Sequence, residues 1–237
     1  MLITGFPTGA LACNCYVIAP HEGADAVIID PGQRASRPLQ QILDRHRLTP
    51  AAVLLTHGHI DHMWSAQKVA DTYGCPVYIH PDDRAMLTDP IMDLGVAGKA
   101  QSLLLGFGKR AVAAFFTEPR QVVELTGDGE LLDLGGIPVT VDHTPGHTPG
   151  SVVFRVGAHE RGDGGISPAS AFTGDTLFKG AIGRSDLLGS SGRQLLTSIV
   201  TKLLVLDDDT VVLPGHGEKS TIGLERRTNP FLEGLRL

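Results

Sequence analysis

A dense group of potential metal ligands follows an apolar run in the first third of the chain. Residues 51–55 are Ala-Ala-Val-Leu-Leu, and residues 56–62 are Thr-His-Gly-His-Ile-Asp-His. The apolar run predicts a buried strand, and the loop after such a strand is a common location for functional side chains. Three imidazoles and one carboxylate within six residues suit zinc, iron or manganese. The cluster therefore favours a metal site over a solvated polar loop.

The spacing inside this cluster allows two metal ions. His57 and His59 are two residues apart, so that in extended backbone their side chains point to the same side. Asp61 and His62 require the chain to turn, which Gly58 and the end of the strand allow. One metal ion could bind the first pair and a second ion the other pair.

Three later segments each place one ligand-type side chain in a glycine-bounded loop after a predicted strand. They are His147 in Thr-Pro-Gly-His-Thr-Pro-Gly, Asp175 in Thr-Gly-Asp-Thr, and His216 in Pro-Gly-His-Gly. His143 competes with His147, but the tighter Pro-Gly framing favours His147. Together with the first cluster they make five histidines and two aspartates, which is enough for a dinuclear metal site.

The remainder of the chain predicts a layered α/β architecture. The predicted strands are 14–19, 25–30, 51–56, 76–80, 121–125, 131–134, 137–143, 151–156, 169–173 and 210–213. The predicted helices are 36–46, which Ser36 can cap, 64–73 and 192–204. Since apolar strands in both halves end in ligand-bearing loops, we expect two β-layers face to face, with helices outside and the ligands along one edge.

We expect residues 1–237 to form a single domain with two similar halves, about 1–118 and 119–237. Residues 82–118 differ from their surroundings because they are apolar but interrupted by several glycines. This pattern predicts helical pieces that act as a lid over the site or as an oligomer contact, and a plain packing helix fits equally well. If this segment is an oligomer contact, the chain forms a homo-oligomer.

Composition excludes several classes of function. The net charge of -6 argues against a nucleic-acid partner, since nucleic-acid-binding domains usually carry a basic field. No run of 18 apolar residues exists, and the N-terminus lacks the features of a signal peptide, so we expect no membrane span and no export. Three cysteines without export predict reduced thiols in the cytoplasm, and for Cys13 and Cys15 core packing is favoured over a metal role.

The four motifs, in this order and spacing, resemble the metallo-β-lactamase-fold hydrolases. The resemblance covers nearly the whole chain and implies a four-layer αβ/βα sandwich of two face-to-face mixed β-sheets with helices outside. Residues 174–178, Gly-Asp-Thr-Leu-Phe, and 183–187, Gly-Arg-Ser-Asp-Leu, are most similar to the glyoxalase II (hydroxyacylglutathione hydrolase) branch. The ending Thr-Asn-Pro-Phe-Leu at 228–232 is similar to that branch too.

The resemblance also implies the site. The metal ligands would be His57, His59 and His147 at one ion, Asp61, His62 and His216 at the other, and Asp175 between the two. Asp61 and Asp175 are assigned to catalysis as well. The two divalent ions are zinc by default, with iron and manganese open. Asp30 is implied as the partner of a ligand imidazole, although a turn-forming Asp would give the same signal.

Arg184 matches a basic residue that helps to bind the glutathione part of the substrate in this branch, and an ion pair with Asp186 is the alternative. The implied activity is the hydrolysis of an S-(2-hydroxyacyl)glutathione or related acyl-thiol to a hydroxy acid and a free thiol. A metal-bridging hydroxide would attack the thioester carbonyl. The thiolate needs little protonation because the pKa of a thiol is about 8.5. An iron-dependent persulfide dioxygenase is the main alternative, followed by a β-lactamase, a phosphodiesterase and a non-catalytic binding protein.

Overall fold

Two six-stranded sheets carry the part of the chain that the structure describes. The structure is a computed structural model and describes residues 1–89, 116–125, 128–160, 164–187 and 189–235. The first sheet contains, in chain order and in spatial order, β1 (Leu2–Thr8), β2 (Cys13–Ala19), β3 (Asp25–Ile29), β4 (Thr49–Leu54), β5 (Val77–Ile79) and β6 (Val122–Glu124). Strands β1 to β3 are antiparallel, and β3 to β6 are parallel.

The second sheet is also mixed. Its strands are β7 (Glu130–Leu134), β8 (Ile137–His143), β9 (Val152–Val156), β12 (Ser170–Gly174), β15 (Val211–Pro214) and β16 (Ser220–Thr221), in the spatial order β16-β15-β12-β9-β8-β7. Only the β12–β15 pair among these described strands is parallel. Two short hairpins, β10 (His159–Glu160) with β11 (Ile166–Ser167) and β13 (Leu177–Phe178) with β14 (Ala181–Ile182), lie between the longer strands.

Helices cover the outer face of each sheet. They are α1 (Ser36–His46), α2 (Ile60–Met63), α3 (Ala66–Tyr73), α4 (Gly192–Ser198) and α5 (Ile222–Thr228), with a π-helical turn over Ile199–Leu203 and 3₁₀ turns at Pro81–Leu87 and Pro230–Leu232. Leu39 of α1 and Val69 of α3 pack on the first sheet. Leu195 of α4 and Ile222 of α5 pack on the second sheet.

Strand β2 illustrates why the sheets are buried on both faces. Its Cys15 and Val17 belong to the core beneath α1 and α3, whereas Tyr16 and Ile18 belong to the core between the sheets. Side chains alternate between the faces of a strand, so an unbroken apolar run suits a strand that is covered on both sides. The core between the sheets also contains Phe154 and Phe172 of the second sheet, which confirms the four-layer αβ/βα sandwich.

Several predicted bounds need correction. The helix predicted for 64–73 begins two residues later, as α3, and the short helix α2 before it was not predicted. Helix α1 has the predicted bounds, but Ala35 occupies the N-cap position, and no side chain caps it. Strand β1 was missed, because Gly5 and Pro7 obscure its pattern; Pro is tolerated there because β1 is an edge strand.

The first sheet ends at Glu124, a few residues beyond the predicted division near residue 118. The single-domain organisation of residues 1–237 stays a prediction. Of the proposed lid or contact segment 82–118, the structure describes the 3₁₀ turn and residues 116–118, and residues 90–115 lie outside the described residues. None of the helices in the described ranges has the length and apolar character that crossing a membrane requires.

Candidate metal centre

The seven predicted ligands meet at one edge of the sandwich. The loop after β4 and helix α2 supply four of them, and the segments after β8, β12 and β15 supply one each; they are His57, His59, Asp61, His62, His147, Asp175 and His216. Strands β3 and β4 run parallel, as do β12 and β15, so the carboxyl ends of each pair reach the same edge. Residues that lie up to 159 positions apart in the sequence (57 to 216) therefore share one site.

Three imidazoles form the first set, namely His57, His59 and His147. The Nδ1 atom of His59 lies 3.1 Å from Nε2 of His57 and 2.9 Å from Nε2 of His147. His57 and His147 are buried, at 1% and 4% exposure. A tetrahedral metal with nitrogen ligands holds those nitrogens about 3.3 Å apart, so the set has approximately the shape that such an ion requires.

The second set combines two imidazoles with a carboxylate, namely Asp61, His62 and His216. The Nε2 atoms of His62 and His216 are 3.3 Å apart. Oδ2 of Asp61 lies 3.2 Å from Nε2 of His216 and 3.8 Å from Nε2 of His62. His62 is fully buried, whereas the side chains of His216 and Asp61 are 28% and 19% exposed.

Asp175 lies between the two sets. Its Oδ1 is 3.2 Å from Nε2 of His62, and its Oδ2 is 3.6 Å from Nε2 of His147, so one oxygen faces each set. Oδ1 is buried and accepts no hydrogen bond from the described residues. A buried carboxylate oxygen without a donor is costly unless a cation compensates it, and a metal ion in the second set would do so.

The backbone leaves room for such ions. A Cβ atom added to Gly215 would lie 2.4 Å from Oδ1 of Asp175 and 2.6 Å from Cε1 of His62. Any residue other than glycine at this position would therefore occupy the space between the ligands. The converging nitrogens, the uncompensated oxygen and this open position show that the residues present fit two divalent ions.

Hydrogen bonds to the outer ring nitrogens orient the imidazoles. Nδ1 of His62 donates to Oδ2 of Asp30 at 2.9 Å. Nδ1 of His57 lies 3.1 Å from Oγ1 of Thr56, which in turn donates to Oδ2 of Asp30 at 2.7 Å. Asp30 therefore fixes one imidazole of each set, which agrees with the partner role that the resemblance implies.

Backbone carbonyls orient two further imidazoles. Nδ1 of His147 donates to the carbonyl oxygen of Arg184 at 2.9 Å, and Nδ1 of His216 donates to that of Leu11 at 3.0 Å. With the proton on Nδ1, each ring presents the lone pair of Nε2 to the site. The backbone carbonyl of Arg184 therefore helps to orient a candidate ligand.

Asp83 is a structural residue of the site that sequence reasoning missed. Its buried carboxylate accepts hydrogen bonds from the backbone of Gly58 at 2.9 Å, from Oγ1 of Thr148 at 2.7 Å and from the backbone of Gly150 at 2.8 Å. Burial raises the pKa of Asp83, although these three donors oppose the shift. The carboxylate links the loop of His57 and His59 to the loop of His147. The Pro-Asp-Asp start of the 3₁₀ turn gave only a turn signal.

The protonation states of the site suit metal binding. Burial, followed by the neighbouring imidazoles of His147 and His62, lowers the pKa of His59 to about 4. Burial likewise lowers the pKa of His57 well below its ordinary value. Burial alone would raise the pKa of Asp175, but the charge of His62 outweighs it and keeps that pKa below its ordinary value. His57 and His59 are therefore neutral, and Asp175 is ionised, which are the forms that bind metals. In the second set, burial alone would lower the pKa of His62 and of His216, but neighbouring acidic groups outweigh it and raise both, so metal binding there would displace protons.

His143 and Cys13 lie near the site in different ways. The ring of His143 stacks on that of His80, with centroids 4.1 Å apart and planes at 9°, so the structure places His147 and not His143 among the candidate ligands. Cys13 is buried, and its sulfur lies within 4.8 Å of the ligand atoms of His62 and His216. Burial raises the pKa of its thiol to about 11, so that Cys13 packs against the second set as a neutral group.

A cavity of about 470 Å³ opens over the ligands. Its floor contains members of both sets together with Asp175. Its walls are apolar and consist of Leu11, Ile60, Phe178, Ile182 and Leu187. Arg184 stands at its edge, where Nε and Nη2 donate to the two carboxylate oxygens of Asp186 at 3.0 and 3.1 Å. A small organic molecule can therefore reach both ligand sets at once.

The model of the metallo-β-lactamase superfamily matches residues 8–162, which is more than half of the chain. The chain belongs to the metallo-β-lactamase superfamily. The superfamily fold implies divalent-metal binding, and the clustered His and Asp side chains agree with it. The match supports both the fold and the resemblance that the motifs indicated.

Two relatives span nearly the entire chain. An uncharacterised protein of Mycobacterium tuberculosis is 66% identical over 235 residues, which cover 99% of each chain. Hydroxyacylglutathione hydrolase GloC of Haemophilus influenzae is 37% identical over 232 residues, which cover 98% of each chain. The chain is thus similar along its whole length to a protein named for hydrolysis of hydroxyacylglutathione.

Two solved structures resemble the fold closely. The BLEG-1 B3 metallo-β-lactamase has a TM-score of 0.78 and is 37% identical, with 98% of this chain and 100% of that chain covered. The protein TTHA1623, solved in a di-iron-bound form, has a TM-score of 0.72 and is 34% identical, with 97% and 100% covered. Similarity alone therefore leaves a choice between substrates and between metals.

Proposed function

We propose that this protein is a dinuclear metal-dependent thioester hydrolase of the glyoxalase II type. It hydrolyses an S-(2-hydroxyacyl)glutathione or a related acyl-thiol to a hydroxy acid and a free thiol. The observation that carries the proposal is Asp175, which directs one carboxylate oxygen to each ligand set on the floor of an open cavity. The similarity to GloC over nearly the whole chain supports the same reaction.

The candidate ligands and their hydrogen-bond partners have distinct roles in this reaction. His57, His59 and His147 would hold one divalent ion, Asp61, His62 and His216 would hold the other, and Asp175 would supply one carboxylate oxygen to each. When bound, such ions lower the pKa of a bound water toward 7 and polarise a carbonyl oxygen. Asp61 and Asp175 would supply the negative charge of the site, and the hydrogen bond from Nδ1 of His62 to Asp30 would hold the Nε2 lone pair of His62 toward the ligand set. Zinc is the expected metal, because nitrogen and oxygen donors suit it, with iron or manganese as the alternatives.

The cavity lining favours a thioester over a lactam. Apart from the candidate ligands, its described lining consists of apolar side chains and Arg184, whose guanidinium is paired with Asp186. A thiolate leaves with little protonation because the pKa of a thiol is about 8.5, whereas an amide nitrogen needs a proton donor. The lining is consistent with a leaving group that needs no such donor. The acidic balance of the chain supports a small-molecule substrate rather than a nucleic acid.

A thiol-release assay tests the proposal. The protein is loaded with zinc or with iron, and acyl-thioesters are compared with a chromogenic β-lactam and with glutathione persulfide under oxygen monitoring. We expect thioester hydrolysis that is lost in Asp175→Asn and kept in Asp133→Asn, since Asp133 is an exposed aspartate of β7 outside the site. Oxygen uptake with the persulfide, or β-lactam turnover, without thioester hydrolysis would contradict the proposal.

A further inference from the structure

We infer that the cavity selects thioesters whose thiol portion is uncharged, and that Asp186 sets this preference by neutralising Arg184. The inference rests on the proposed thioester hydrolysis and specifies which class of acyl-thiol the site takes. It follows from the walls of the cavity and from the pairing of the charges at its edge.

The walls offer contacts to apolar groups. Leu11, Ile60, Phe178, Ile182 and Leu187 come from four separate parts of the chain and surround the space above the ligands. Leu11 is 66% exposed and so presents most of its side chain for contact. Each buried methylene group of a ligand contributes roughly a fourfold gain in affinity, so that these walls favour an alkyl or aryl substituent.

The cations at the edge are already paired. Arg184 makes two parallel hydrogen bonds to Asp186, at 3.0 and 3.1 Å, and this fork is the face that a carboxylate of the substrate would use. Lys179 follows the wall residue Phe178, and its Nζ atom lies 2.5 Å from Oε2 of Glu218. Among the described residues that line the cavity, Arg184 is the one Lys or Arg. The described edge therefore has no unpaired arginine for an anionic thiol.

This charge pattern disfavours anionic thiol carriers. Glutathione has two carboxylates and one ammonium group, and its recognition calls for unpaired cations. Here an approaching carboxylate would have to displace Asp186 and would also be repelled by it. An uncharged thiol avoids both costs and retains the apolar contacts.

The experiment compares one acyl group on three thiols. The same acyl group is attached to N-acetylcysteamine, which is uncharged, to glutathione, and to the more strongly anionic coenzyme A. We expect kcat/KM to fall in that order for the unmodified protein, with at least a threefold advantage of the uncharged carrier over glutathione at low ionic strength.

Asp186→Asn removes the charge that neutralises Arg184 and keeps a side chain of the same shape. The ratio of kcat/KM for the glutathione ester to that for the uncharged ester should rise about three- to fivefold, which is the range of an exposed charge pair, and the rise should disappear at high salt. Inhibition by S-methylglutathione, which cannot be hydrolysed, should strengthen by the same factor without any turnover. Asp133→Asn, the matched control, should leave the ratio unchanged, and metal content should be equal in all three proteins.

Different outcomes separate the inference from the proposed function. A preference of the unmodified protein for the glutathione ester, or a ratio that Asp186→Asn does not move, overturns the inference while thioester hydrolysis stands. The absence of thiol release from every carrier overturns the proposed function, and the inference with it.

Discussion

The two ligand sets lie side by side but are built differently. The first consists of three imidazoles, of which His57 and His147 are almost completely enclosed. The second adds the carboxylate of Asp61 and places His216 at the lip of the cavity with 28% exposure. The first set therefore contains no carboxylate, and only His59 among its three side chains is partly exposed. The second set contains one carboxylate, and two of its three side chains are partly exposed.

Two buried carboxylates, Asp30 and Asp83, hold the ligand sets in different ways. Asp30 accepts three hydrogen bonds, from the backbone of Thr56 at 2.8 Å, from its hydroxyl at 2.7 Å and from Nδ1 of His62 at 2.9 Å. Asp83 also accepts three, but none comes from a ligand side chain. Asp30 thus orients the ring of His62 directly, and Asp83 links the two loops that carry the first set. Asp30 therefore acts on ligand rings of both sets, whereas Asp83 acts on the first set through its loops.

We expect the largest loss of activity from a substitution of Asp175, which lies between the two sets. Asp175→Asn removes the one negative charge that faces both sets, so neither ion is compensated as before. We expect kcat to fall by about 10³-fold or more and the metal content to fall below two ions per chain. Steady-state kinetics and elemental analysis measure both. Near-normal turnover in this variant would show that the carboxylate does not join the sets.

Removing the charge of Asp30 should lower the metal affinity of the second set more than that of the first. Asp30→Asn leaves Nδ1 of His62 facing an amide, and a loss of this kind typically lowers metal affinity 10- to 100-fold. Competition with a chromophoric chelator measures the affinity of each ion. Thr56→Val is the matched control, since it cuts the link to His57 and leaves the bond from His62 to Asp30 in place. Equal losses in the two variants would argue against a direct role of Asp30 at His62.

Replacing Asp83 should affect the first set through its loops. Asp83→Asn presents an amide group to donors that need acceptors, and we expect a stability loss of about 1–3 kcal/mol. Because the two loops would no longer be linked, the affinity of the first ion should fall about tenfold, with less change at the second. Thermal unfolding and chelator competition report the two effects. A variant that loses stability but keeps both affinities would restrict Asp83 to a folding role.

A smaller effect concerns the rate at which the ions leave. Since the side chains of His216 and Asp61 are 28% and 19% exposed, a chelator should remove the ions in two phases, with the second set emptied several-fold faster. In His216→Ala the fast phase should vanish, and the rate of the slow phase should stay within about threefold. Stopped-flow measurements with a metal indicator follow both phases. A single phase in the unmodified protein would mean that the difference in exposure has no kinetic consequence.

The ligands could be predicted from the sequence because their chemistry is visible locally. Each follows an apolar strand and is of a residue type that binds metals, and His147 and His216 also lie between glycines or prolines. Strand β8 and helix α1 were predicted with their observed bounds, since their apolar spacing is regular and turn residues flank them. The edge strand β1 was missed because an edge strand need not be continuously apolar.

Asp83 could not be found in this way. Its role depends on Gly58 and Gly150, which are 25 and 67 residues away, and nothing in its neighbouring residues differs from an ordinary turn. Asp30 was recognised through the resemblance, and its three donors became visible only in the folded chain. The apolar walls of the cavity also come from distant segments, so the selectivity of the cavity could not be predicted from local sequence patterns.

Anomalous diffraction at the absorption edge of the bound metal tests the central claim most directly. We expect two peaks per chain, one within ligand distance of His57, His59 and His147, and one within ligand distance of Asp61, His62 and His216. One oxygen of Asp175 should contact each peak. A single peak in a fully loaded, active crystal, or two peaks of which Asp175 contacts only one, would contradict it.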